Sequence, residues 1–276
     1  MPELPEVETV VRSLRETCLG YTAEKIKFYR KDIREPVPIP TFRKVLLGQR
    51  LDSIERRSKY IVMNTRVGSA IFHLGMSGQL LALKDWKPEI KHTHLVMEFN
   101  QGKQSHYLHF IDPRRFGRIS AHIGPNWRKH PFIEQLGCEP LEERLLGNYL
   151  WNKGKKRSRS IKTLLMDSKI VVGIGNIYAC ESLFLAGVHP ERSSDTISQH
   201  EYQAIAAAAK KTLRSAIKAG GTTIKDFKSM EGKLGYFSIS LNVYGRSDEE
   251  CKNCRSPINH IKQSGRSSWF CSSCQK

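Results

Sequence analysis

The 276-residue chain carries 45 Lys and Arg against 27 Asp and Glu, a formal net charge of +18, with 39% hydrophobic and 26% charged residues. This is a globular composition without any run of about 18 apolar residues, which excludes a membrane-spanning helix, and the acidic opening MPELPEVETV lacks the apolar segment of a secretory signal, so a cytosolic protein is expected. The positive surplus points to a polyanionic partner; nucleic acid is favoured over an anionic membrane because no basic amphipathic helix with an aromatic face is present.

Residues 3–16 (ELPEVETVVRSLRE) read as an amphipathic helix, with Val7, Val10, Val11 and Leu14 at i, i+3, i+4 and i+7. Pro5 suits its first turn, and the early glutamates suit its positive end. From about 21 to 121 short segments rich in β-branched and aromatic residues follow one another: YTAEKIKFY, KYIVMNTRV, AIFHL, QLLAL, HTHLVMEF and HYLHFI. Gly and Pro fall between several of them, and the spacing predicts a β-sandwich or barrel. A short helix, TFRKVLLG, interrupts the strands and stops at Gly48. Residues 122–140 hold three prolines and two glycines and mark a domain boundary. Beyond it helices are expected. A basic block (Lys153, Lys155, Lys156, Arg157, Arg159, Lys162) precedes a helix–turn–helix around Gly173-Ile174-Gly175-Asn176. A longer helix then runs from about 198 to 219 and ends at Gly220-Gly221. The expected architecture is α+β: an N-terminal β-sandwich domain with flanking helices (1–130), a helical domain (131–240) and a C-terminal segment (241–276).

Of the seven cysteines, Cys18, Cys138 and Cys180 are scattered and read as small buried residues. The other four form Cys251-x2-Cys254-x16-Cys271-x2-Cys274. Two CxxC turns at this separation suit one tetrahedral structural zinc ion, with thiolates at about 2.3 Å and no open position for chemistry. Disulfides or a redox pair are the alternatives, and a reducing compartment disfavours the first. PINHIKQ and SSWFC flank Ser264-Gly265-Arg266, so the metal would fix Arg266 at the tip of a β-hairpin.

The motifs PELPEVET, HLGMSG, DPRRFG, VGIGNIYA, GGTTIKDF, NVYGR and the closing cysteine hairpin occur in that order along nearly the whole chain. Together they resemble the formamidopyrimidine-DNA glycosylase family of bacterial base-excision repair enzymes. The resemblance implies a helix-two-turn-helix DNA-binding domain within 131–240 and a lesion-capping loop at 222–237, in which Leu234 stands where many relatives carry proline. It also implies a zinc hairpin in 241–276. The implied activity is that of a bifunctional DNA glycosylase and abasic lyase. Such an enzyme acts as a monomer on double-stranded DNA carrying oxidised purines or abasic sites, in the bacterial cytoplasm at the nucleoid.

The resemblance also implies roles for individual residues. Removal of Met1 frees the Pro2 amine, which attacks the sugar C1′ and expels the damaged base. An α-amino group titrates near pH 8, so an appreciable neutral fraction exists at about pH 7. The imine of a secondary amine is a permanent cation, suited to drawing off protons for elimination at the 3′ and then the 5′ phosphate. Glu3 is the implied acid/base residue. Glu6, one helical turn on, is a supporting carboxylate, and Lys59 lies near the lesion phosphates. Met76, Arg114 and Phe116 fill the gap left by an everted nucleotide, with Arg115 as the structural arginine of its pair. Asn176 at a helix N-terminus, Arg266, Lys59 and His92 form a phosphate clamp, and Arg157 is a further DNA contact. Glu8 is expected to be solvated and His94 to be an ordinary strand histidine.

Two other readings compete. An endonuclease VIII-type glycosylase for oxidised pyrimidines is disfavoured by Leu4 in PELPEV and by the full-length capping segment. A non-catalytic DNA-binding zinc protein would satisfy the charge and the cysteines, but binding alone has no use for the paired Pro2 and Glu3. Gly173-x-Gly175 lacks the third glycine of a dinucleotide-binding turn, which removes a Rossmann site.

Overall fold

The computed structural model describes residues 2–221 and 241–276, which fall into two compact units. The first comprises residues up to Glu134 together with Gly220 and Gly221; the second comprises Gln135–Ala219 and residues 241–276. The expected capping loop, Leu234 included, lies outside the described residues. No helix among the described residues is long and apolar enough to cross a membrane.

The first unit opens with α1 (Leu4–Cys18). Val7, Val10, Val11 and Leu14 all lie in the core, as their spacing requires. Two antiparallel four-stranded sheets follow. One has the order β1-β6-β7-β5 and consists of β1 (Thr22–Phe28), β5 (Gln79–Leu83), β6 (Thr93–Gln101) and β7 (Gln104–Ile111). The other has the order β2-β3-β4-β8 and consists of β2 (Ser53–Arg57), β3 (Tyr60–Asn64), β4 (Gly68–His73) and β8 (Arg118–Ile123). Their apolar residues share one core, which α2 (Ile39–Leu46) also enters: Phe42 meets Phe28 and Phe72 edge-on at 5.3 and 5.7 Å. A single helical turn, α3 (Pro131–Glu134), ends the first stretch of this unit.

Both edge strands of the second sheet escape a sequence reading. In SIERR only Ile54 is buried, so no apolar alternation develops. RISAHI runs into the Pro- and Gly-rich boundary and buries Ile119 alone. Pairing, not propensity, makes strands of them: Ile54 stands opposite Met63, and Ile119 opposite Phe72.

The second unit contains α4 (Leu146–Gly154), α5 (Ile161–Leu165), α6 (Asn176–Leu185) and α7 (Gln199–Lys218). Ser198 caps α7 by accepting the Glu201 N–H at 3.2 Å, while the Glu201 carboxylate accepts the Ser198 N–H at 2.8 Å. The chain closes with a hairpin, β9 (Asn259–Gln263) and β10 (Arg266–Phe270). Its two-residue turn, Ser264-Gly265, takes positive φ at both positions (49° and 76°), the geometry that matches strand twist.

Candidate active site and nucleic-acid interface

The start of α1 explains why PELPEVET reads as it does. Leu4 and Val7 anchor the first turn in the core, and Pro5 occupies a position where a missing N–H costs nothing. Glu3 is the N-cap and Glu6 the third helical residue; the Glu6 carboxylate accepts the Glu3 N–H at 2.8 Å. Both acids are buried, Glu3 at 2% exposure and Glu6 at 0%. Burying two carboxylates is costly, and the cap bond and the positive helix end offset the cost. Pro2 is buried beside them. Gly221, at φ +93°, closes against Glu6: a Cβ there would stand 3.1 Å from Glu6 Oε1, so a side chain would both strain the backbone and crowd the carboxylate. Glu8 is not solvated, contrary to expectation. It bridges Arg56 at 2.9 Å and Arg12 at 3.1 Å, which ties α1 to β2.

A second group gathers where β4 and β7 run out. Met76 and Phe116 are exposed apolar side chains, 39% and 40% accessible, and the Arg114 guanidinium lies 5.0 Å from the Phe116 ring. The two loops touch: a Cβ on Gly75 (φ +64°) would come within 2.4 Å of the Phe116 carbonyl carbon. Arg115 sits at φ +56° and its guanidinium makes no hydrogen bond among the described residues. The arginine with structural contacts is Arg118, paired with Glu35 at 2.7 Å and stacked on Phe132 at 4.5 Å. His92 is exposed at φ +68°, just before β6. Lys59 is not in a strand; it occupies the two-residue turn between β2 and β3, after Ser58 at φ +57°.

His73, the last residue of β4, supports this group from inside. Its Nδ1 accepts the Gly75 N–H at 3.0 Å and its ring packs on Tyr60 at 4.8 Å. Burial pushes the imidazole down to about 3, and the neighbouring Lys59 and Arg118 charges push the same way. The folded protein therefore keeps His73 neutral, while an unfolded histidine takes up a proton below about pH 6.5. The unfolded state binds the extra proton, so stability is lost as pH falls through the window from 6.5 to about 3. His73→Gln should flatten the acid limb of a urea-denaturation series by about 1.4 kcal/mol per pH unit relative to the parent chain. An unchanged slope between about pH 4 and 6 would show that His73 titrates normally.

In the second unit the Sγ atoms of Cys251, Cys254, Cys271 and Cys274 all lie within 4.8 Å of one another. Cys251 and Cys274 stand 3.9 Å apart and Cys254 and Cys271 3.4 Å apart. A tetrahedron of thiolates about 2.3 Å from zinc has edges of about 3.8 Å, and a disulfide would need about 2.05 Å. The four positions fit one zinc ion with no vertex left for a substrate. The cluster shares a small apolar core with Cys180, Phe184, Val243 and Ile258. Glu181, buried in α6, accepts the N–H groups of Asn242, Val243 and Tyr244 at 2.9–3.0 Å and so fixes the entry to this segment. Of the other three cysteines, Cys18 and Cys180 are buried and Cys138 only half-buried.

The zinc hairpin is also held from below. Lys162 is buried and donates to Ser267 O at 3.0 Å and Ser268 Oγ at 2.5 Å, so it is a hairpin support and not part of a solvated basic face. Asn176 opens α6 and donates through Nδ2 to Ser267 O at 2.9 Å. Asn176 and the Arg266 hairpin are thus joined through Ser267. Arg266 itself is exposed at the start of β10. Arg159 pairs with Asp167 at 2.9 Å, which leaves Lys153, Lys155, Lys156 and Arg157 as the exposed part of the basic block. Arg157 donates to the Lys153 carbonyl. His73, Lys162, Glu181 and Asp112 have no individual role legible in the sequence: Lys162 stands in the basic block, Asp112 opens DPRRFG, and His73 and Glu181 are polar residues in mostly apolar elements.

A capped sandwich domain, a helical domain that opens a helix at Asn176 and a four-thiolate hairpin together define a zinc-bearing DNA-repair glycosylase. Residues 1–119 match the formamidopyrimidine-DNA glycosylase N-terminal domain, 136–228 the H2TH domain of the same enzymes, and 248–276 the zinc finger found in FPG and IleRS. The chain belongs to the formamidopyrimidine-DNA glycosylase family. It is 44% identical over 276 residues to formamidopyrimidine-DNA glycosylase of Stenotrophomonas maltophilia (strain K279a), covering all of both chains. With the enzyme of Marinobacter nauticus the identity is 40%, again over both entire chains. The crystal structure of MutM (Fpg) protein from Thermus thermophilus is similar with a TM-score of 0.87 and 31% identity, covering 99% of this chain and 98% of that one. A complex of Lactococcus lactis Fpg with abasic-site DNA gives 0.86 and 30%, covering 99% of each.

Proposed function

We propose that this chain excises oxidised purines, 8-oxoguanine and formamidopyrimidines, from double-stranded DNA through a Schiff base on Pro2, and then cleaves the strand by β,δ-elimination. The observation that carries the reading is the capped end of α1, where Pro2 adjoins the buried Glu3. With Met1 removed, the Pro2 nitrogen attacks C1′, the bond to the base breaks and the amine gives up its proton; Glu3 then protonates the ring oxygen as the C1′–O4′ bond opens, which leaves the iminium. Loss of a C2′ proton from the iminium expels the 3′ phosphate; a second proton loss expels the 5′ phosphate, and water releases the sugar remnant. Glu6 holds Glu3 and the helix end in place. Lys59, His92, Asn176, Arg157 and Arg266 bind phosphates, while Met76, Arg114 and Phe116 occupy the vacated stack. The zinc ion shapes the hairpin and takes no part in the chemistry. The protein works as a monomer in the bacterial cytoplasm, held at the nucleoid by its DNA affinity.

Relatives of this fold have been solved with DNA containing carbocyclic 8-oxo-G and with Fapy-dG DNA, which supports the purine assignment. Excision rates on 8-oxoguanine and thymine glycol duplexes test it: the first should be faster, and faster release of thymine glycol would overturn it. Glu3→Gln should bind lesion DNA within about threefold of the parent while excision falls about 10²–10⁴-fold. Retained excision would remove Glu3 from its role.

A further inference from the structure

We propose that Asp112 is the positioning residue that sets the gap-filling loops in place before DNA arrives; this rests on the assignment of Met76, Arg114 and Phe116 to the vacated stack. Asp112 follows β7 and is completely buried. Its Oδ1 accepts the Ser77 hydroxyl at 2.7 Å and the Arg114 N–H at 3.3 Å, and its Oδ2 accepts the Gly117 N–H at 2.7 Å. Its backbone N–H donates to the His92 carbonyl at 3.1 Å, and its carbonyl lies 2.8 Å from His94 Nε2. His94 is therefore more than a strand histidine: it braces the same residue.

One carboxylate thus joins the residue after Met76 to both ends of the Arg114–Phe116 loop, and the same residue's backbone holds the phosphate-binding candidate His92. Both carboxylate oxygens are occupied by the protein's own donors, so Asp112 is turned away from any substrate. Eversion of a nucleotide is itself unfavourable. A wedge that also had to be ordered during eversion would add the entropy of fixing exposed side chains. Bonds made in advance inside the protein remove that cost from the DNA-bound step.

Asp112→Asn keeps the shape but turns one of the two acceptor oxygens into a donor. Either orientation of the amide leaves its NH2 facing a backbone N–H, that of Gly117 or that of Arg114, in a buried place. Ser77→Ala is the milder variant, since it leaves the carboxylate in place and removes only what the Ser77 hydroxyl donates to Asp112 Oδ1 and accepts from the Arg114 N–H. The readout is the split between single-turnover excision of 8-oxoguanine and strand cleavage at a preformed abasic site, where no base must leave the stack. For Asp112→Asn we expect excision to fall about ten- to a hundredfold and abasic cleavage less than about threefold. Ser77→Ala should show the same split at about three- to tenfold, with the thermal midpoint lowered by no more than a few degrees, and it carries the test if Asp112→Asn does not fold. Equal losses on both substrates, or no loss on either, overturn the proposal. Met76→Ala separates the two layers. If it shows no split, the wedge assignment fails and this proposal with it; if it shows the split and neither Asp112→Asn nor Ser77→Ala does, the proposal alone fails.

Discussion

A chain that retains Met1 should give no borohydride-trapped adduct with abasic or 8-oxoguanine DNA, whereas the processed chain should be trapped in good yield. The reason is bond order at one atom. With Met1 attached, the Pro2 nitrogen is an amide whose lone pair is delocalised into the carbonyl, and it cannot add to C1′. Removal of Met1 turns it into a secondary amine held at the end of a helix whose first turn is locked by Leu4, Val7 and the Glu3–Glu6 cap. A positioned nucleophile gains its rate from that rigidity, so the loss should exceed about 10³-fold in both excision and trapping. The primary amine of a retained Met1 is one residue farther from Glu3 along the chain than the Pro2 nitrogen. Equal trapping of both forms, with the adduct mapped to a lysine such as Lys59, would move the nucleophile elsewhere.

Zinc removal should have the second largest effect. Binding of a structural zinc ion contributes about 10–16 kcal/mol to folding of a small metal-held segment, comparable with the net stability of an entire domain at about 5–15 kcal/mol. Residues 251–276 have little apolar core of their own beyond the cluster shared with Cys180, Phe184 and Val243. Extraction with a strong chelator, or Cys254→Ser, should therefore unfold the hairpin and release Ser267 and Ser268 from their supports at Lys162 and Asn176, and with them the neighbouring Arg266. Affinity for lesion DNA should drop at least about a hundredfold, because an unfolded lysine- and arginine-rich tail keeps its charge but no longer holds Arg266 in register with the phosphates. The sandwich has its own core, so its far-ultraviolet strand signal should persist. Full DNA affinity after chelation, or metal content well below one zinc per chain, would contradict the role given to the site.

Much of this molecule is open to a reader of its sequence. The helix at residues 3–16 is legible because its apolar spacing is a local property, and observed α1 differs from it only by a residue or two at each end. The zinc ligands are legible because two CxxC turns carry their geometry within four residues each. Pro2 and Glu3 acquire meaning from the order of motifs along the chain. By contrast, β2 and β8 exist through their pairing partners, β3 across a tight turn for β2 and the sequence-distant β4 for β8, and their own residues hold too little apolar alternation to announce them.

Buried polar residues divide along the same line. Lys162 reads as one more cation in a basic run until the fold places it under Ser267, and Glu8 reads as solvated until Arg56 arrives from β2. Asp112 is only the first letter of DPRRFG in the sequence; in the fold it collects donors from Ser77, 35 residues away, and from Gly117. The sequence by itself determined the chemistry available: an amine behind a removable methionine, an acid beside it, four thiolates and a surplus of cations. Only the tertiary structure decided which charged groups face solvent and which hold the site together, because burial and hydrogen-bond satisfaction depend on partners that local sequence does not contain.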